Sequence, residues 1–567
     1  MQNSSGNTNA LDQLQHKVLS TYVNGLVAAN GPFSPEEIAN EAIECINNAI
    51  RIRNATSTGC AKWPELRSLG PPQIAPCVIN INRVVRIQLS NGSNEYVIGV
   101  YLMAGPKQGL YSIDEHDFNA LCRRYNNSLT EREIKEIKSI IYDTAPIRER
   151  CLDPNLVPVN NGIFNYQTKT LMPFNPDYAF LSKCSTDYNP NARNVTITNP
   201  DGTQWDVESW VESLVSNHPD KAEMADLIWK IIGAMVRYLV PWNKAIFLMS
   251  PSGNNGKGTL CELMRCLLGK GNTANIPINN FGKEFQLEPL THVNAVITDE
   301  NDVGVYIDAV GNFKAAVTGD EIQLNRKYKS PITFRFRGVI LQCLNDYPSY
   351  RDKSDSLYRR QLCVPMTQCF TGAERKYIKS DYIHRREVLE YVLFKVLNMN
   401  YDQLPEPKSC KIELEQSKEM NDPVLQYMNE FMGRFKWKLV PYPFLYDLYK
   451  EWYVRNYPGK SALSHNRFLR EFKNNLPLFP EWTRHTDENG RDLEIRSKGL
   501  INDWEPLILK YDLKDWGEKR DNSWREVLTG QPKVRSKYRG IIRVEDYKNY
   551  DPNAEEDDAK NKENSPS

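Results

Sequence analysis

The chain of 567 residues has no run of about 18 apolar residues, so no membrane span is expected. It also has no net charge. Lys+Arg and Asp+Glu number 71 each, so net charge gives no whole-protein nucleic-acid signal, and any basic surface must be local. No C-x-x-C pair occurs among the 12 cysteines, which argues against a disulfide frame or zinc site and fits reduced cytoplasmic thiols. The opening MQNSSGNTNALDQLQHK has neither a charged start nor an apolar core, so a secretory leader is not expected. Solenoid-type repeats are absent as well.

What is present is ordinary globular composition, 40% hydrophobic and 25% charged. The length predicts three or four domains. Ser34 is placed to cap a helix that starts at Pro35 and carries Glu36 and Glu37 in its first turn. Residues 77–104 alternate in a way that predicts strands around the turn Asn91-Gly92. Residues 221–240 read as a helix with a broad apolar face. From Trp242 strands and helices alternate, the pattern of an α/β domain. After about Asp422 come compact helices and one hairpin. The final NAEEDDAKNKENSPS is polar and charged enough to be disordered.

Residues 248–260 read LMSPSGNNGKGTL. The apolar run KAIFLMS before it suits a buried strand, and Leu260, Leu263, Met264, Leu267 and Leu268 after it share one helical face. Strand, glycine-rich turn and helix make a phosphate site, because N–H groups at a helix N-terminus face the anion and the dipole favours it. The candidate ATP-binding residues are Ser252, Gly253, Asn254, Asn255, Gly256, Lys257, Gly258 and Thr259. Lys257 would meet the β- and γ-phosphates, and Gly253 and Gly256 would supply the unusual backbone angles. The strict pattern G-x-x-x-x-G-K-[ST] is broken twice. Pro251 stands at its first glycine. Gly258 follows the lysine, so the hydroxyl that would meet Mg²⁺ is displaced to Thr259.

Three further pieces follow in order. The apolar run Val293–Ile297 leads to Asp299-Glu300, where one carboxylate would join Thr259 on hydrated Mg²⁺ and the other would orient or deprotonate the attacking water. Its place about 40 residues after the loop suits a neighbouring strand of the same sheet. Val339–Leu344 is another buried strand, and Asn345 at its end is placed to touch the γ-phosphate. Arg359-Arg360 offers a guanidinium to a phosphoryl group transferred on a neighbouring subunit. Each piece alone is also what a solvated turn or face looks like.

Taken in order, SPSGNNGKGTL, AVITDE, FKAAVTGDEIQLNRKYKSP, GVILQCLND and LYRRQLCVP resemble the superfamily 3 helicases, in the phage, plasmid and poxvirus-type primase–helicase branch. VPVNNGIFNYQTKTLMPFNPDYAF is similar to the helicase-associated N-terminal segment of that branch. The resemblance implies an α/β chain with an AAA+-like P-loop ATPase core. It implies a ring, usually a hexamer, with ATP between subunits and 3′-to-5′ movement on single-stranded DNA. Lys257 would bind phosphate, Asp299 and Glu300 would serve Mg²⁺ and water, Asn345 would be the sensor, and Arg359 or Arg360 the finger. Relatives with NGKGT loops make Gly258 a tolerated departure. The expected organisation is a mixed α+β region over 1–150, the helicase-associated segment and a helical collar over 151–240, and the ATPase core over 241–400. A C-terminal winged-helix domain over 415–545 and a disordered acidic tail over 546–567 follow.

Two segments are candidates for holding DNA. In TGDEIQLNRKYKSPITFRFRG, Ile322, Leu324, Ile332, Phe334 and Phe336 alternate with polar residues, which predicts a hairpin. Its turn region holds Arg326, Lys327, Tyr328 and Lys329, where cations track phosphates and a tyrosine stacks on a base. In the family a hairpin at this place projects into the ring channel. Further on, a helix–turn–helix pattern puts Ser464 at the cap of a second helix bearing His465, Asn466, Arg467, Arg470 and Lys473. A hairpin turning at Asn489-Gly490 would be the wing. The acids of SIDEHDF, Ser112–Phe118, read as a helix start, and no primase activity is expected. The expected partners are single-stranded DNA, origin duplex DNA, further copies of the chain and other replication proteins of the element or host, in the host cytoplasm and away from membranes. Two rival readings stand: an origin-binding initiator ATPase without processive unwinding, and a P-loop NTPase acting on RNA or protein.

Overall fold

The structure is a computed structural model and describes residues 3–29, 33–56, 61–88, 96–302, 306–307, 309–326, 329–373, 375–459, 461–522 and 525–550. Of residues 3–9, 306, 326, 329–330, 518–522 and 525–531 it describes the backbone alone. The chain divides into two compact units, Met1–Leu414 and Glu415–Ser567. No helix among the described residues is long and apolar enough to cross a membrane.

The first unit opens with helices Asn3–Ala29, Pro35–Thr56 and Pro71–Asn80, and Glu115–Tyr125 and Glu131–Thr144 follow around a four-stranded sheet. Ser34 Oγ accepts the Glu37 N–H at 3.5 Å, as a cap should. Asp114 likewise accepts from the His116 N–H at 2.9 Å, so the acids of Ser112–Phe118 form a helix start. The strands expected across 77–104 begin later. Cys77–Asn80 instead close the helix from Pro71, because Pro71 and Pro72 pre-set its first turn and Ile74, Ala75, Cys77 and Val78 are buried at helical spacing. The strand pair is Val85–Gln88 with Tyr96–Tyr101, and Asn91-Gly92 lies outside the described residues. A meander, Leu156–Val159, Gly162–Asn165 and Thr170–Met172, and the helix Lys221–Val236, buried over most of its length, lead to the central sheet.

That sheet is built from β1 (Ala245–Met249), β2 (Thr273–Ala274), β3 (Ala295–Thr298), β6 (Val339–Leu344) and β7 (Gln361–Pro365), with α1 (Lys257–Leu268) after β1. Between β3 and β6 the chain makes a hairpin, β4 (Glu321–Arg326) and β5 (Lys329–Arg335). The sheet order is β2-β3-β6-β1-β7, and every pairing is parallel. The strand ending at Asp299 is therefore not the neighbour of the loop strand, as its spacing suggested, because β6 lies between them. All residues of β1, β3, β6 and β7 are buried, as a parallel sheet covered on both faces requires. Side chains alternate between two cores. Ile246, Leu248, Ile297, Leu341 and Val364 pack with α1 and the helices Lys221–Val236 and Arg386–Asn398. Phe247, Met249, Val296, Ile340 and Cys363 share the other core with Ile322, Leu324, Ile332, Phe334 and Phe336 of the hairpin segment. The expected hairpin is present, paired Ile322 to Phe334 and Leu324 to Ile332.

The second unit runs α2 (Pro423–Phe431), β8 (Leu439–Pro441), α3 (Tyr442–Asn456), α4 (His465–Asn475), β9 (Trp482–Arg484) and β10 (Gly540–Arg543), with an antiparallel sheet of order β8-β10-β9. Its core is aromatic: Tyr449 stacks on Phe468 at 4.6 Å, beside Tyr427, Trp452 and Trp437. Ser464 sits at the start of α4, but its hydroxyl accepts no helix N–H. Gly490 does turn the chain, with φ +76 and its N–H bonded to Asp487 O at 2.9 Å. The flanks then part, joined by the single bridge Thr486–Asp492, because β9 pairs with β10 and Ile495–Arg496 with Lys537–Tyr538. A short helix, Pro506–Lys510, and a hairpin, Gly517–Asn522 with Arg525–Pro532, fill the interval. Residues 551–567 of the expected tail lie outside the described residues.

Phe334 is 1% exposed and ties the hairpin to the sheet. Phe334→Ala should cost about 3–5 kcal/mol of stability in a urea titration of the transition that includes the sheet. A loss under about 1 kcal/mol would mean that the hairpin is not anchored by its apolar face.

Candidate nucleotide-binding site

The loop from β1 to α1 leaves the sheet at its carboxyl edge, where open α/β sheets bind ligands. The Ser250 N–H donates to Leu344 O at 3.0 Å and the Met366 N–H to Met249 O at 2.7 Å, so the loop springs from between β6 and β7. Asn255 braces it from inside. Its buried amide donates to Ser250 Oγ at 2.6 Å and to Ser252 O at 2.5 Å, and its Oδ1 accepts the Lys257 N–H at 3.4 Å. Gly256 has φ +82 at the helix N-cap, and a Cβ there would lie 2.4 Å from Leu214 Cδ2, so only glycine fits. Gly253, by contrast, keeps an ordinary backbone angle. The second left-handed residue is Asn254, φ +54, which asparagine tolerates better than most residues. Ser252, Gly253 and Asn254 are exposed, and Gly258 and Thr259 are half-buried in the first turn of α1. Lys379 Nζ lies 3.5 Å from where a Cβ on Gly258 would stand, a second cation beside the loop.

Lys257 is only 7% exposed. Its Nζ donates to Asn345 Oδ1 at 3.1 Å and reaches Ser250 O at 3.5 Å, and it forms no ion pair among the described residues. Burial pushes its pKa below the ordinary lysine value. A desolvated ammonium without a counter-ion is costly by itself and becomes favourable when an anion arrives. The structure therefore brings together the predicted phosphate-binding lysine and the predicted sensor asparagine.

Asp299 stands just past the end of β3, and both its oxygens are taken by Arg265 of α1, at 2.9 and 2.8 Å. Burial lowers the Arg265 pKa, but its hydrogen bonds to Asp299 and the negative charges of Asp299 and Glu262 together outweigh that, and the net shift is upward. Beside this fork, the Sγ atoms of Cys261 and Cys343 face each other at 3.4 Å, and the Asp299 carboxylate lies within 4.8 Å of both. Glu300 is exposed. Asn301 holds the acidic turn to β6 by donating to Gln342 Oε1 at 3.1 Å and Cys343 O at 3.0 Å. Arg265 and Asn301 escaped sequence reasoning, since no spacing rule links them to their partners; Asn255 is expected in the loop, and only its bracing role is new. Arg359 is exposed at the end of the turn Asp355–Tyr358. Arg360 turns inward and donates to Ser356 O at 2.5 Å.

Of the DNA candidates, Lys327 and Tyr328 lie outside the described residues, and Arg326 and Lys329 are described by backbone alone. His465, Asn466, Arg467 and Arg470 are exposed on α4. Arg467 pairs with Glu471 at 3.2 Å. Lys473 is committed within its unit: it bonds Asp492 at 2.5 Å, and Asp492 also takes Arg484 at 3.1 Å and the Tyr442 hydroxyl at 2.9 Å.

Residues 110–215 match a protein family described as D5 N terminal like, and 419–506 one described as Poxvirus D5 protein-like. Residues 248–360, which hold the loop, the acids, Asn345 and both arginines, match a Family of unknown function (DUF5906). The protein named "Putative helicase L207/L206" of Acanthamoeba polyphaga mimivirus is 22% identical over 363 residues, 59% of this chain. The chain spans 37% of that relative's length. "The A form apo structure of NrS-1 C terminal region-CTR" is 12% identical with a TM-score of 0.41, covering 83% of this chain and all of that one. "The apo structure of NrS-1 C terminal region" is 10% identical with a TM-score of 0.39, covering 82% and 100%.

Lys257→Met keeps the side chain's length and removes its charge. With its desolvation cost gone, the variant should melt no lower than the parent. Because the folded-state pKa is lowered, the parent should gain stability as pH rises toward the ordinary lysine value, and the variant should lack that gain. Melting curves of both proteins across pH check this, and a variant that melts several degrees lower would mean that Lys257 serves the fold.

Proposed function

We propose that this chain, a relative of the D5-type viral and phage primase–helicases, is an ATP-driven replicative DNA helicase of a phage, virus or mobile genetic element. The observation that carries the ATP site is the buried, uncompensated ammonium of Lys257 in hydrogen-bond contact with Asn345 at the sheet's carboxyl edge. In this reading Lys257 meets the β- and γ-phosphates, and Asn345 passes from the lysine to the γ-phosphate or the attacking water. Exposed Glu300 accepts the proton of that water. The Thr259 hydroxyl and the Asp299 carboxylate are the oxygen donors that a hard cation takes, and Asp299 would exchange part of its Arg265 fork for Mg²⁺ or reach it through water. Bound there, Mg²⁺ would neutralise charge on the phosphate oxygens.

Further parts of the proposal concern DNA and assembly. The buried face of the β4–β5 hairpin holds it to the sheet, and the basic residues between its strands would grip a single strand. In the second unit, the order α2-β8-α3-α4-β9-β10 with sheet order β8-β10-β9 supports a winged-helix reading. His465, Asn466, Arg467 and Arg470 of α4 would then face duplex DNA, and Lys473 would hold the domain together. A ring, with 3′-to-5′ movement, is carried over from the family. Among the two arginines we favour Arg359 as the finger, since it is exposed and Arg360 is turned to Ser356.

The test is DNA-stimulated ATP hydrolysis and displacement of a strand from a forked duplex by the full chain. Lys257→Ala should abolish both while the fold survives, and near-normal turnover would sink the site assignment.

Arg359→Ala should bind ATP normally and lose turnover by a factor of order 10³. Mixing it with Lys257→Ala protein should restore part of the activity through hybrid interfaces. Normal hydrolysis by Arg359→Ala, or the same loss confined to Arg360→Ala, would reject this choice of finger.

A further inference from the structure

Away from the loop, the outer side of α1 carries Glu262 and Cys266, one turn apart on the same face. The turn Tyr382–His384 brings His384 against them. Cys266 Sγ lies 3.1 Å from His384 Nδ1 and 3.7 Å from Glu262 Oε1, and the three ligand atoms lie within 4.8 Å of one another. The second imidazole nitrogen is fixed as well. His384 Nε2 is 3.0 Å from Lys379 O, and a carbonyl only accepts, so Nε2 carries the proton and the Nδ1 lone pair faces the thiol. Metal-bound histidines are held in this way, with the free ring N–H on a backbone carbonyl or carboxylate.

We propose that Glu262, Cys266 and His384 bind one divalent cation of the zinc class. Sulfur, imidazole and carboxylate donors sit about 2.0–2.3 Å from zinc, so tetrahedral neighbours are roughly 3.3–3.6 Å apart, close to the 3.1 and 3.7 Å that separate the sulfur from the other two donors. On binding, the Cys266 thiol proton leaves to solvent. The sulfur, Nδ1 and one Glu262 oxygen then fill three positions, and water takes the fourth. Thiolate and carboxylate together balance the ion's two charges. The ion would tie α1 to the turn Tyr382–His384, two segments more than 100 residues apart in sequence. The other Glu262 oxygen is 3.6 Å from Arg265, the guanidinium that holds Asp299, so the ion would sit one side chain away from the candidate nucleotide site. The cluster of Cys261, Cys343 and Asp299 is the weaker candidate, because Arg265 already occupies both Asp299 oxygens. The proposal needs nothing from the ATP reading.

The experiment uses the full chain, stripped with EDTA and titrated with Co²⁺ and then Zn²⁺. One equivalent of Co²⁺ should give a near-ultraviolet thiolate charge-transfer band and the intense visible bands of tetrahedral cobalt, and Zn²⁺ should displace it. Cys266→Ser should lose the thiolate band. His384→Gln should weaken binding by more than about 100-fold, beyond the range for loss of an outer partner. Glu262→Gln, which preserves volume, should weaken it at least tenfold, and Cys343→Ala should change neither band nor affinity. Circular dichroism of each variant checks its fold. No thiolate band at stoichiometric Co²⁺, a band that survives Cys266→Ser, or one lost in Cys343→Ala would each overturn the assignment.

Discussion

A parallel sheet must be crossed over from edge to edge, so its strands all end at the same side. Here β1, β3 and β6 deliver Ser250, Asp299 and Asn345 to one carboxyl edge, although they are far apart in the chain. Burial on both faces holds that arrangement. One core is closed by α1 and two further helices, and the other by the β4–β5 hairpin. The hairpin strands and α1 are thus packed on opposite faces of one sheet.

Within the candidate site, the Lys257 ammonium is held at a desolvation cost that an anion would relieve. The Lys257 ammonium is buried with a neutral amide and a carbonyl for company. Asn255 spends its amide on the loop's own carbonyl and hydroxyl, which stiffens the cradle before any ligand arrives. Gly256 and Asn254 take left-handed angles so that the loop can close over the helix N-terminus. The Arg265–Asp299 fork holds the acid in place. This is pre-organisation, in which part of the cost of binding is met during folding.

The second unit works differently. Its stability rests on packed aromatic rings, and a dense polar knot joins Asp492 to Lys473, Arg484 and Tyr442. That knot ties α4, β9 and the loop after it together. It removes Lys473 from the exposed basic face and leaves a smaller one, Arg467 and Arg470 with His465 and Asn466.

The sequence by itself determined the local pieces: the strand–loop–helix around Lys257, the acids after β3, Asn345 after β6, and the hairpin with its inward apolar residues. These are set by periodicity and turn chemistry over a few residues, which a one-dimensional reading captures. Only the tertiary structure decided who meets whom. The insertion of β6 between β1 and β3 depends on pairing across dozens of residues, so spacing alone mistook next-nearest strands for neighbours. Cys77–Asn80 went to a helix because two prolines and a buried face outweighed an apparent alternation. Arg265 reaching Asp299, and Cys266 reaching His384, follow from helix packing and leave no mark in spacing. The parting of the strands around Asn489-Gly490 was decided by β10, which arrives about 50 residues later to claim the partner that the turn alone would have assigned to its own flank.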